Sequence, residues 1–234
     1  MAIDRLGGLV ARERRSNEPA LLGAASGREY DYRRFCTTAW KVGNLLRHYG
    51  VRAGDQVGLL EPDAPESIFT LLGASLLGAS VSVNGVDRTK AIVGPTDAVS
   101  ALDSSTRRIG YGSVPAQPTV AHFEGEVWSE NPTAPPDSVE PTATVLETAT
   151  EQYTHSALLT QARALCEGHE IEPDTTVVLR ESLSNPATIV GGVIAPLLSC
   201  ATIAFPAQDR VGDVAIGANG APEPRHIPLS AVHF

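Results

Sequence analysis

Lysine is almost absent from this chain: of 18 basic side chains, set against 27 acidic ones, only Lys41 and Lys90 are lysines. The formal net charge is -9, and no basic cluster exists beyond the short run from Arg12 to Arg15. Binding phosphates requires grouped cations, so nucleic acid is excluded as an expected partner. The arginine run reads as the solvated end of an N-terminal helix. An acidic, lysine-poor surface fits a halophilic, high-salt cytoplasm, where carboxylates hold water and like-charge repulsion is screened.

Cysteine is scarce as well. Cys36, Cys166 and Cys200 lie far apart with no CxxC pair, which points to buried free thiols in a reducing compartment and away from a disulfide framework or zinc site. The six histidines form no HxxxH or HExxH spacing, so no metal is expected. Long apolar runs are missing too. SIFTLLGASLLGASVSVNGV, between Glu66 and Asp87, is diluted by Ser, Gly and Asn. The stretch from Glu181 to Asp209 is cut by Pro186, Pro196 and Pro206. Neither run has basic anchors, which argues against a membrane span. MAIDRLGGLV at the N-terminus has no extended apolar core, so no signal peptide is expected and the cytoplasm is the expected location.

What the chain does contain is regular. At 234 residues and 42% hydrophobic it can bury one large core or two modest ones, as expected of an α/β protein. Residues 31–49 place Phe35, Ala39, Val42, Leu45 and Leu46 at steps of three and four, which predicts an amphipathic helix. The helix stops at Gly50, and QVGLL at 56–60 reads as a buried strand. APESIFTLLGASLLGA predicts a second helix, whose small residues Gly73, Ala74, Gly78 and Ala79 suit close packing on a sheet. SVSV at 80–83 predicts the next strand. Such alternation with short loops is the pattern of a parallel βαβ layer.

The same order then returns. DYRRF at 31–35 matches THSAL at 154–158, AGDQVGLL at 53–60 matches EPDTTVVL at 172–179, and LLGASVSV at 76–83 matches LLSCATIAF at 197–205. KAIVG at 90–94 matches DVAIG at 213–217, RRI at 107–109 resembles RHI at 225–227, and VAHF at 120–123 resembles AVHF at 231–234. Constant order at nearly constant offset predicts an internal duplication, two similar α/β subdomains with parallel βαβ layers. The expected division is an N-terminal helix and lead-in over 1–29, a first unit over 30–123, a Pro-rich linker over 124–152 and a second unit over 153–234. Pro132, Pro135, Pro136 and Pro141 argue against regular helix or central strand in the linker. Trp128 is expected to pin it to a domain surface.

Residues 27–84, GREYDYRRFCTTAWKVGNLLRHYGVRAGDQVGLLEPDAPESIFTLLGASLLGASVSVN, resemble the opening of the adenylate-forming (AMP-binding) acyl-CoA synthetases, with the resemblance carried by 28–83. Residues 172–206 resemble a later segment of that family, where a helix runs into a strand. The resemblance implies a fold like the N-terminal subdomains of those enzymes, and a chemistry in which ATP activates a carboxylate before the acyl group passes to a thiol. That chemistry uses a loop of the form YTSGTTGxPKG shortly before a TH, because backbone amides and hydroxyls must wrap a triphosphate. Here the corresponding stretch is VLETATEQYTH. It has no glycine and no lysine, it retains Thr148 and Thr150 as remnant hydroxyls, and it adds Glu147 and Glu151, which repel phosphate.

The resemblance also implies an aromatic or histidine shaping an acyl pocket, where this chain reads RESLSNPAT. The family's adenine, ribose and magnesium segments, and its C-terminal domain with a catalytic lysine, are expected beyond residue 234 and so absent from this protein. No catalytic residue is assigned. Glu61 and Asp63, with Glu66 nearby, and Ser184 and Asn185 are the candidate ligand-edge residues, since α/β proteins bind ligands at the C-terminal ends of their strands. The plainer reading of the acidic group is a solvated loop with a helix N-cap. The expectation is a catalytically inert, acyl-CoA synthetase-like pseudoenzyme with no cofactor, acting as a binding or interaction module. Its expected partner is a protein, a second copy of itself or a small acyl ligand. The alternative is an adenylate-forming acyl-CoA ligase component, using ATP and Mg, that a partner chain completes.

Overall fold

The computed structural model describes residues 3–23, 27–136, 138–207, 210–217 and 220–234; Met1, Ala2 and 24–26 of the expected lead-in and Asp137 of the expected linker lie outside the described residues. In chain order the elements are β1 (Pro19–Leu22), β2 (Glu29–Asp31), α1 (Tyr32–His48), β3 (Gln56–Leu59), α2 (Pro65–Leu77), β4 (Ser80–Val83), β5 (Ala91–Pro95), α3 (Thr96–Ser100), β6 (Arg107–Tyr111), β7 (Val120–His122) and α4 (Phe123–Ser129). There follow β8 (Thr144–Glu147), β9 (Gln152–Thr154), α5 (His155–Gly168), β10 (Thr176–Leu179), α6 (Pro186–Ile189), a π-helical turn (Val190–Ile194), α7 (Ala195–Ser199), β11 (Thr202–Ala204), β12 (Val214–Ile216) and β13 (Arg225–Ile227).

Two compact units result, one of residues 37–155 and one of residues 1–36 with 156–234. They are therefore not the contiguous stretches 30–123 and 153–234 that the repeat suggests. The 37–155 unit holds a seven-stranded sheet in the order β7-β6-β5-β3-β4-β8-β9, and the other holds a six-stranded sheet in the order β13-β12-β10-β11-β1-β2. All pairings are parallel except the two hairpins, β8 with β9 and β1 with β2. Each sheet is thus completed by a hairpin distant in sequence from its central strands. The segment expected as a linker supplies one of those hairpin strands, β8, and also the helix α4. Pro132, Pro135 and Pro136 fall between those two elements, so neither has to accommodate a proline.

In the 37–155 unit, α2 packs on β4, β5 and β8, and α3 packs on β5, β6 and β7. Val57, Leu59, Val81, Ile92 and Val93 are buried strand residues beneath them. Gly73 faces the other helix and not the sheet: a Cβ there would meet Gly43 N at 2.8 Å and Val42 Cγ1 at 2.9 Å. The small residues of α2 therefore let two helices cross closely. The strap over 128–133 is held by backbone acceptors. Lys41 Nζ donates to Trp128 O at 2.7 Å, and Asn44 Nδ2 donates to Asn131 O and Thr133 O at 2.9 and 2.8 Å. The Trp128 ring itself is 84% exposed, so pinning comes from its carbonyl and not from burial of the indole.

In the other unit the N-terminus forms two 3-10 turns, Leu6–Val10 and Arg12–Arg14, in place of the expected helix. Arg14 is not a solvated helix end. Its Nη2 donates to Leu197 O, to Leu198 O at 3.2 Å and to Cys200 Sγ at 3.1 Å, while Nε donates to Leu9 O at 3.1 Å. A guanidinium at the C-terminus of α7 satisfies carbonyls that the helix leaves unpaired and complements its dipole. The three cysteines are free; Cys36 is buried and the other two are half-buried. Beyond the end of β10, Arg180 and the buried Glu223 form an ion pair through Nε at 3.2 Å and through Nη2. Burial alone would raise the Glu223 pKa. Hydrogen bonds from Arg180 and from backbone amides, together with the guanidinium charge, outweigh it and hold the carboxyl below its ordinary value.

Two outcomes test these packing statements. Leu59 is 3% exposed, and Leu59→Ala is expected to cost about 2–5 kcal/mol in denaturant unfolding, the range for a buried leucine that leaves a cavity. Arg180→Ala strands a buried carboxylate and is expected to cost about 3–5 kcal/mol. Because the folded-state pKa of Glu223 lies below the unfolded one, the pair contributes fully above the unfolded pKa, and that contribution is lost as pH falls through the lower folded value. Glu223→Gln should therefore flatten the acid side of the Tm-versus-pH curve.

Candidate functional site

Residues 148–151 form the turn between β8 and β9. Thr148 sits at its start, and the β8–β9 hairpin requires the chain to reverse in four residues. Thr148 N donates to Glu151 O at 2.9 Å. The Thr148 hydroxyl then accepts from Glu151 N at 3.0 Å and from Thr150 N at 3.4 Å. This is a turn closed on a threonine side chain, a local motif in which the hydroxyl substitutes for an outside acceptor. The amides of Thr148, Thr150 and Glu151 therefore have partners within the turn. Thr150 is exposed and brings a hydroxyl with no glycine beside it to open the backbone.

The acidic residues of the same stretch are also engaged. Glu147 accepts from Ser80 Oγ through one carboxylate oxygen and from Gln152 Nε2 at 3.0 Å through the other. Tyr153 donates its phenol to Glu151 Oε2. Burial, with the Glu151 carboxylate acting in the same direction, pushes the Tyr153 phenol up to about 12. The hairpin thus carries two carboxylates held by neighbouring side chains, around a turn in which the amides of Thr148, Thr150 and Glu151 donate within the turn itself.

The ligand-edge candidates fall in different units and are described separately. Glu61 follows β3 with a left-handed backbone (φ 45), and both Glu61 and Asp63 are exposed. Glu66 is buried in the first turn of α2, at 8% exposure. The capping position is Ala64, which makes no side-chain cap bond, so the expected N-cap by an acidic side chain is not formed. Tyr111 donates to Glu61 O at 3.0 Å. Burial raises its phenol pKa, the Ser67 hydroxyl opposes this, and the carboxylates of Glu66, Glu61 and Asp63 add to it. In the other unit Asn185 is structural: its side chain accepts from Ala187 N at 2.9 Å and caps α6. Ser184 N donates to Ser182 Oγ at 3.1 Å. Among the described residues no group of three or more His, Cys, Asp and Glu is placed to hold a metal, and no helix is long and apolar enough to cross a membrane.

No family profile matches the chain. It is similar, at 33% identity over 64 residues, to a 4-coumarate–CoA ligase of Vanilla planifolia, a match covering 27% of this chain and 12% of that protein. Among solved structures, a benzoate CoA ligase from Burkholderia xenovorans aligns with a TM-score of 0.77 at 17% identity, covering 91% of this chain and 50% of the ligase. The N-terminal domain of FACL13 from Mycobacterium tuberculosis aligns with a TM-score of 0.74 at 15% identity, covering 92% and 63%. The fold is that of the N-terminal region of acyl-CoA ligases. The chain spans about half the length of the benzoate CoA ligase it matches.

On this ligase fold, two features escaped the sequence reading: the use of Thr148 as an internal acceptor and the Ser80–Glu147–Gln152 network. The first had a signal, since a Thr followed closely by further polar residues in a short hairpin favours a side-chain-closed turn. The second had none, because Ser80 and Glu147 lie far apart in sequence and meet through strand pairing.

A pH titration checks the hairpin. A phenol whose pKa is raised by folding contributes stability that is fully present below its unfolded pKa of about 10. That contribution is lost as pH rises through the folded value, about 12. Tyr153→Phe is therefore expected to make the alkaline side of the Tm-versus-pH curve shallower, and one late-titrating phenol should vanish from the ultraviolet difference spectrum.

Proposed function

We propose that this chain is a catalytically inert binding or interaction module on the acyl-CoA ligase fold, needing neither ATP nor magnesium. The observation that carries this reading is the closed turn at 148–151. The amides that would have to face a triphosphate donate to Thr148 and the carbonyl of Glu151 instead, and Glu147 and Glu151 flank them. Its partner on this reading is a protein, a second copy or a small acyl ligand, in a high-salt cytoplasm. The two units are copies of one α/β element: setting β1 to β6 against β8 to β13 brings the two strand orders into correspondence, with β7 the one additional strand.

A second reading is an adenylate-forming ligase component completed by a partner chain. It is favoured by one observation, the coverage of half the length of a benzoate CoA ligase. Calorimetry with ATP and magnesium separates the two, together with pyrophosphate exchange on short, medium and aromatic carboxylates. Both assays belong at low and at molar salt, because an acidic chain can require counterions to fold. No ATP heat and no exchange is the expected result for the folded protein. Saturable ATP binding by the protein alone would overturn inertness, and exchange that appears only with a second chain would establish the split ligase.

A further inference from the structure

The 37–155 unit contains a cleft of about 490 Å³ on which the Ser80–Glu147–Gln152 network of the hairpin opens. It is bounded by the loops that lead into β3 and β4, by residues 138–143 and by the β8–β9 hairpin. Its volume falls within the ~300–1,000 Å³ range of small-molecule sites. The polar lining is Ser80, Ser138, Glu140, Thr144, Glu147 and Gln152, and the remainder is alanine, glycine and Val139. Among the described residues no lysine, arginine or histidine lines it.

We propose that this cleft binds a free linear polyamine. Glu147 is half-buried, and its two oxygens are oriented by Ser80 Oγ and Gln152 Nε2. Each carboxylate oxygen has a second lone pair, so both can still accept from an ammonium. Glu140 is exposed and gives the same cleft a second carboxylate. The hydroxyls of Ser138 and Thr144 offer further acceptors to an ammonium's three donors. The small apolar wall suits methylenes, whose burial is favourable, and gives nothing to an anion. An alkyl chain with charged ends can pair with Glu147 and Glu140 while its methylenes contact the Ala53, Val139 and Ala143 lining. A hydrated divalent ion does not, since it calls for converging oxygen ligands without the hydroxyl and amide donors that already occupy Glu147.

This inference goes beyond the inert-module reading and does not depend on it, so a failed amine titration leaves the ATP experiments untouched. The test is calorimetric titration of the full chain with spermidine at low ionic strength, repeated with magnesium chloride and with a lysine-containing peptide. Saturable one-to-one binding of spermidine is expected. It should weaken about tenfold, the factor for loss of roughly 1.4 kcal/mol, in Glu147→Gln, and measurably in Glu140→Gln. Ala53→Trp, at an exposed position on the cleft wall, should block it by volume without removing charge. Because Glu140 and Ala53 are exposed, those two variants keep the test valid should Glu147→Gln misfold. Absent saturation, binding unchanged in Glu140→Gln and Ala53→Trp, equal competition by magnesium, or tighter binding of the peptide than of spermidine would each overturn the proposal.

Discussion

A backbone N–H has one proton to donate, and in the turn between β8 and β9 Thr148, Thr150 and Glu151 place theirs within the turn. Thr150 N and Glu151 N both point at the Thr148 hydroxyl, and Thr148 N points at the carbonyl of Glu151. An anion cradle is built from the same groups facing outward, usually with glycines so that successive amides can converge. The flanking carboxylates are held too, Glu147 by Ser80 and Gln152 and Glu151 by Tyr153.

The rest of the 37–155 unit supports that turn. The sheet positions β8 beside β4, with Val81 opposite Leu146 and Ser82 opposite Glu147, and this places Ser80 within reach of the Glu147 carboxylate. Val145 and Leu146 are both fully buried, and α2 packs on β8, so the strand is anchored beside β4 by apolar burial. In the other unit the buried Arg180–Glu223 pair lies beyond the end of β10. Removing one partner of such a pair leaves a charge uncompensated in a low-dielectric setting.

Much of the local structure was legible before any coordinates. The spacing of Phe35, Ala39, Val42, Leu45 and Leu46 marked α1 and the QVGL run marked β3, because each of these is a property of neighbouring residues. The composition of the units was not legible. That β1 pairs with β11, and that β8 pairs with β4, are non-local choices which leave no trace in periodicity. Gly73 misled for a related reason: a small residue signals close approach but does not say what approaches, and here it is α1 at Gly43. Arg14 looked like surface charge because its acceptors, the carbonyls at the end of α7, lie far along the chain. Asn185 looked like a ligand contact because a helix cap and a binding residue use the same oxygen.

The most direct measurement is the amide hydrogen exchange and chemical shift of Thr150 and Glu151, followed by NMR before and after addition of ATP with magnesium. Slow exchange at both amides and no shift on adding nucleotide are the expected results, because both protons are already held by Thr148. Rapid exchange at both positions, with shifts that saturate as ATP is added, would show that the turn opens to offer its amides and would contradict the inert reading of this site.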